Sequence, residues 1–149
     1  MGWVKVQAVG ADHSSCCFAP DGHIYDGGSP MGFIIHTADR KTRIYHGGDT
    51  NVFSDMEIIE ELYAPTHLLL PIGGNFTMGP KEAAYAVTRF LKSAQILIPM
   101  HYATFPLLYG TVEDLEKEIV EWKKTYERAP FKVVNAHTLL EGPHHPLPL

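Results

Sequence analysis

Two short, nearly unbroken apolar runs, residues 67–72 and 95–100, constrain this chain more than any other feature. Each is bounded by turn-forming or polar residues: Gly73-Gly74-Asn75 closes the first, and His101-Tyr102 follows the second. Runs of this length without polar alternation suit strands buried inside a layered structure. Between them, Gly79-Pro80 opens a helix with proline in its first turn, and Ala84, Val87, Phe90 and Leu91 recur on one side. Buried strands separated by amphipathic helices define an α/β class with helices layered on a sheet.

The flanking sequence extends the pattern. Residues 3–9 alternate, with Val4, Val6 and Ala8 on one face, which predicts a half-buried strand. Residues 10–30 read as a long loop rich in Gly, Asp, Ser and Pro. Residues 33–37 and 42–46 form a hairpin about a charged turn at 38–41. Ser54 with Glu57 predicts a capping box, Phe53 with Ile58 a hydrophobic staple, and Ile58, Ile59, Leu62 and Tyr63 an inward stripe ending at Pro65. Thr111 and Asp114 cap a third helix bearing Val112, Leu115, Ile119, Trp122 and Tyr126, and residues 131–134 supply a last strand. The expected order is β-β-β-α-β-α-β-α-β with a mixed sheet, forming one unit over 1–141. Residues 142–149 read as an irregular tail carrying His144-His145.

Composition excludes several function classes. A formal net charge of −5, with scattered basic residues, argues against a nucleic-acid partner. No apolar run reaches membrane-spanning length and no secretory signal opens the sequence, so no membrane role is expected. The only cysteines, Cys16 and Cys17, are adjacent, a poor basis for a disulfide framework, and a reducing, cytoplasmic setting is the expectation. Nine histidines in 149 residues direct attention to metal or acid–base chemistry.

In open α/β sheets, functional groups gather in loops beyond the carboxyl ends of strands. Here those loops carry Asp12-His13-Ser14-Ser15, Gly47-Gly48-Asp49-Thr50, Gly73-Gly74-Asn75-Phe76-Thr77-Met78 and His101-Tyr102 with Thr104. Two imidazoles and a carboxylate on neighbouring strand ends suit Zn, Mn or Fe. Singly, each has an ordinary reading: Gly-Gly-Asp and Gly-Gly-Asn are common turns, and a histidine after an apolar strand is commonly hydrogen-bonded in a core. His23, His36, His67 and His137 have no evident partner in the sequence.

Together, the segments Ile44-Tyr45-His46-Gly47-Gly48-Asp49-Thr50, Phe53-Ser54-Asp55-Met56, Leu70 through Pro80 and Pro99 through Pro106 resemble the metal-dependent hydrolase branch of the metallo-β-lactamase superfamily related to L-ascorbate-6-phosphate lactonase. The resemblance runs from about Val6 to Val134. It implies an αββα sandwich with a dinuclear metal site, of which this chain resembles the carboxyl-terminal half: a mixed sheet with helices on one face. It implies His13, Asp49 and His101 as ligands, with Asp49 bridging both metals. It puts Asn75, Thr77, Tyr102 and Thr104 at the substrate or behind the ligands. His46 and Thr50, beside Asp49 in sequence, are expected in the same role, and proximity in sequence to the ligands makes Tyr102 or His46 acid–base candidates. The implied reaction is attack of metal-activated water on a lactone, ester or phosphoester in a small-molecule substrate.

The family's His-x-His-x-Asp-His motif does not occur in this sequence. The expectation is therefore a truncated or partial site, with two protein ligands per metal where a catalytic zinc usually has three, and weak activity or none from this chain alone. An uncovered sheet face is expected to pair with a second copy as a homodimer, or with a complementing amino-terminal half. The alternative is a non-catalytic half-domain that oligomerises or binds a partner.

Overall fold

The computed structural model describes residues 4–136. Trp3, His137 and the tail at 142–149 with His144-His145 lie outside the described residues. A six-stranded mixed sheet has the order β1-β4-β5-β6-β7-β8, built from β1 (Lys5–Gly10), β4 (Met31–His36), β5 (Arg43–His46), β6 (His67–Pro71), β7 (Ile96–Met100) and β8 (Lys132–Val133). The segment expected to be an unbroken loop instead contains a small hairpin, β2 (Cys17–Phe18) and β3 (Ile24–Tyr25). Its turn closes through the Gly22 amide donating to the Ala19 carbonyl and the Ala19 amide to the His23 carbonyl.

Strands β1 and β5 both run antiparallel to β4, while β5, β6, β7 and β8 are mutually parallel. Strands β1, β5, β6 and β7 therefore end at one edge of the sheet. Between them lie α1 (Met56–Tyr63), α2 (Pro80–Tyr85) with a π-helical continuation at Ala86–Phe90, and α3 (Val112–Lys123).

Register sorts the side chains into two faces. Ile34, Tyr45, Leu68, Leu97 and Val133 form one cross-strand row. That row packs in a single core with Met56 and Ile59 of α1, Ala83 and Ala84 of α2, Val87 of the π-helical stretch, and Leu115 and Ile119 of α3. Every helix thus joins the core on the same face. The opposite face carries the rows Val6-Ile35-Ile44-His67-Ile96 and Ala8-Phe33-His46-Leu69-Ile98, and no layer covers it among the described residues. Val4 and Val6, expected to be half buried, are 58% and 57% exposed because they belong to this open face. Val9, on the other side of β1, packs against the core instead.

Two expectations for α1 are corrected. Its first turn is not closed by a Ser54–Glu57 capping box: Asp55 is the N-cap, in helical conformation and without a side-chain cap bond. The Glu57 amide donates to the backbone carbonyl of Ser54 instead. The inward stripe is also narrower than expected. Ile59 is buried, whereas Ile58 and Leu62 are exposed, lining an open groove beside Ala8, Val9 and Gly10. The helix ends at a left-handed Ala64, whose amide donates to the Glu60 carbonyl. The α3 cap forms as expected, with the Thr111 hydroxyl accepting the Asp114 amide.

Periodicity alone does not predict the π-helical stretch. Arg128 terminates it, its guanidinium donating to the carbonyls of Val87, Leu91 and Ala94. Burial pushes the pKa of that guanidinium down to about 10, with the nearby Glu60 charge opposing the shift. Among the described residues no helix is long and apolar enough to cross a membrane.

Candidate metal centre

The common edge where β1, β5, β6 and β7 end carries a cavity of about 530 Å³ lined by Asp12, His13, Ser14, Asp49, Asn51, Phe76, His101 and Phe105. The residues come from four loops, one after each strand, an arrangement the strand directions require.

Asp49 and His101 form its centre: His101 Nε2 lies 3.5 Å from Asp49 Oδ2. Asp49 reaches this position through the turn after β5. There the Gly48 amide donates to His46 Nδ1 at 3.1 Å, and Gly48 takes φ +67°, a left-handed conformation natural to glycine. A Cβ at Gly48 would also sit 2.9 Å from the Met31 carbonyl oxygen. His101 follows β7 directly and is left-handed itself, with φ +52°. Its loop presses against the loop after β6, where a Cβ on Gly73 would lie 2.3 Å from the His101 carbonyl oxygen. Asn75, His101 and Ala103, three left-handed non-glycine residues, all belong to these two loops. Such conformations persist only where surrounding contacts hold them.

His13 lines the same cavity from the loop after β1. Its Nδ1 is 2.7 Å from the Ser14 carbonyl oxygen. A carbonyl only accepts, so Nδ1 is the donor in this contact, which leaves Nε2 as the nitrogen a metal would take from the neutral ring. The loop is fixed by Thr50, whose buried hydroxyl accepts the Asp12 amide at 2.9 Å and donates to the Asn51 carbonyl at 2.8 Å. The Asn51 amide donates back to the Asp12 carbonyl.

His13, Asp49 and His101 therefore share one cavity, while the other expected site residues stand behind or beside it. His46 and Thr50 hold turns. The Asn75 side-chain amide donates to the Leu107 carbonyl at 2.7 Å, tying two loops together. Thr77 is buried with its hydroxyl directed to the Met78 carbonyl. The Tyr102 hydroxyl is 3.1 Å from Asn135 Oδ1, and Thr104 is exposed. None of these six, Tyr102 and His46 included, lines the cavity. Sequence reasoning did not single out Asn51, Phe76 or Phe105, nor assign Asp12 or Ser14 a role. The available signal was large aromatic residues placed inside Gly- and Thr-rich loops.

The donors suit a divalent ion. Carboxylate and imidazole are facing at close range, and His101 Nδ1 is buried with no hydrogen-bond partner among the described residues. Their number is small: among the described residues no three His, Cys, Asp or Glu side chains converge as a metal-holding group. The residues thus fit one side of a metal centre rather than a closed one.

A one-face-covered mixed sheet with these loops at its carboxyl edge is the architecture of a metallo-β-lactamase-fold protein. The family described as beta-lactamase superfamily domain matches residues 1–102, and the chain belongs to that superfamily. It is 45% identical over 121 residues to a metal-dependent hydrolase of Rubrobacter xylanophilus, an alignment covering 81% of this chain and 49% of that protein. Among solved structures it resembles Igni18, a metallo hydrolase of Ignicoccus hospitalis, with 33% identity and a TM-score of 0.67 over 89% of this chain and 50% of that one. It also resembles a Thermotoga maritima protein assigned to the zinc-dependent hydrolases of the metallo-β-lactamase superfamily, with 28% identity, a TM-score of 0.54, and coverage of 76% and 51%. The chain spans about half the length of the relatives it matches.

Proposed function

We propose that this chain provides one side of the metal site of a metal-dependent hydrolase acting on a small-molecule lactone, ester or phosphoester. The observation that carries the reading is the Asp49–His101 pair at 3.5 Å, with His13 on the same cavity. Asp49 would hold the metal through its carboxylate, and would be shared if the site is dinuclear; His101 and His13 would each contribute one nitrogen. A bound Zn, Mn or Fe ion would supply Lewis acidity and acidify a water molecule. The chain's own part is positional: Thr50 holds the His13 loop against Asp49, and Gly73 lets the His101 loop approach. The hydrolase names of the Rubrobacter and Ignicoccus proteins support this reading.

Further donors would come from outside the residues of this sequence. The open rows through Phe33 and Ile35 suit a second sheet, from another copy of this chain or from a segment equivalent to the rest of its relatives. The exposed, free Cys16 and Cys17 suit a reducing cytoplasm. A second reading, a non-catalytic half-domain acting through that face, is favoured by the absence of a three-ligand cluster among the described residues.

The test is turnover of neutral aryl esters, lactones and phosphodiesters after loading with Zn, Mn or Fe. Hydrolysis abolished by Asp49→Ala and by His101→Ala supports the hydrolase. Folded protein inactive with every metal, alone and with a complementing half, supports the half-domain.

A further inference from the structure

The cavity has a mixed lining. Asp12, His13, Ser14, Asp49, Asn51 and His101 supply polar groups, and Phe76 and Phe105, whose rings meet, supply an aromatic patch. The two rings have centroids 6.4 Å apart at 34°. They are 54% and 45% exposed, although large apolar side chains favour burial. Their backbones are held. Phe76 follows Asn75, whose side chain grips the Leu107 carbonyl, and the Leu107 segment follows Phe105. The Phe76 amide donates to the Gly74 carbonyl at 2.7 Å, and the Leu108 amide to the Phe105 carbonyl at 3.0 Å. The rings are thus presented to the cavity by braced loops, and its volume suits a small ligand.

The polar groups narrow the ligand further. Two carboxylates, Asp12 and Asp49, line the cavity, and among the described residues no Lys or Arg does. Among the described residues no lysine or arginine there would neutralise a phosphate or carboxylate on the substrate's distal part.

We propose that Phe76 and Phe105 form an apolar subsite that selects neutral substrates: an ester or lactone carrying an aryl or alkyl group beside its hydrolysable carbonyl. This rests on the hydrolase reading, since it places the reacting carbonyl toward Asp49 and His101. The ring contacts set specificity and leave bond breaking to the polar groups.

The test separates the two claims. Chelator-treated protein is titrated with phenylacetamide and with acetamide, non-hydrolysed neutral amides differing by one phenyl group, while Phe ring resonances are followed by NMR. Phenylacetamide should bind roughly tenfold tighter, the ratio expected from burying one aromatic ring. It should shift the Phe76 and Phe105 signals. Phe76→Ala and Phe105→Ala should each reduce that preference, while Phe76→Leu, which keeps apolar bulk, should retain part of it. Equal affinity for both amides, or an unchanged preference in the double alanine variant, overturns the proposal. Persistence of the preference in a protein that hydrolyses nothing when metal-loaded supports the subsite and counts against the hydrolase reading alone.

Discussion

The Thr50 hydroxyl accepts the backbone amide of Asp12 at 2.9 Å, joining the loop after β1 to the loop after β5. The residues that follow on each side of this link, His13 and Asn51, both line the cavity, as does Asp49. Thr50→Val removes the buried hydroxyl and leaves the Asp12 amide and the Asn51 carbonyl without their partner. The expected cost is about 1–3 kcal/mol of stability, measured by urea unfolding, with Thr50→Ser recovering most of it. Equal stability of the Thr50→Val variant and the wild-type protein would mean that the clamp does not hold the two loops together.

Arg128 makes a second long-range connection, capping the π-helical stretch by donating to Val87, Leu91 and Ala94 carbonyls. Its ring contact with Phe131, 4.1 Å from guanidinium carbon to ring centroid, holds the fork in place. Arg128→Leu should cost about 3 kcal/mol because charge-assisted bonds to three carbonyls vanish. Arg128→Lys should recover little, since an ammonium cannot reproduce the planar fork. Denaturant midpoints of the two variants within error of wild type would contradict this role.

Tyr45 lies in the core row between Ile34 and Leu68, fully buried, and burial raises its phenol far above the usual range. Its hydroxyl has no hydrogen-bond partner among the described residues. Tyr45→Phe removes an unsatisfied polar atom and keeps the ring, so stability should hold or rise by about 1 kcal/mol. A clear loss on thermal unfolding would show that the hydroxyl is satisfied in solution.

The open sheet face leads to an association prediction. Phe33 and Met31 are 37% and 50% exposed in a strand whose other face is packed against the core. At micromolar concentration the chain should run as a dimer by size exclusion with light scattering, and Phe33→Lys should convert it to monomer. A well-folded wild-type monomer would sink the homodimer and leave a complementing half as the partner to seek.

Most of the element order was legible because it rests on local signals: the apolar runs of β6 and β7, Pro80 in the first turn of α2, and the Thr111 cap of α3. What was not legible depends on tertiary context. Val4 and Val6 carry the pattern of a half-buried strand, yet only a second layer could bury them. The π-helical stretch is capped by Arg128 from beyond α3, a contact no local pattern encodes. In the site, motif order brought His13, Asp49 and His101 into view, and all three line one cavity. It could not separate cavity-facing residues from loop braces, because Asn75 and Thr50 occupy the same motifs as the lining residues. Phe76 and Phe105 stood in plain sight, but exposed aromatics in loops acquire meaning only when they meet.

Asp49 and His101 are proposed as metal ligands on their 3.5 Å approach within the cavity. The most direct test is elemental analysis of chain purified without chelator or affinity-tag nickel, with Asp49→Ala and His101→Ala in parallel. Zn, Mn or Fe should approach stoichiometry in the wild-type chain associated with a second copy or a complementing half, and be lost in both variants. Folded, associated protein that holds no metal, or metal retained equally in both variants, would contradict it.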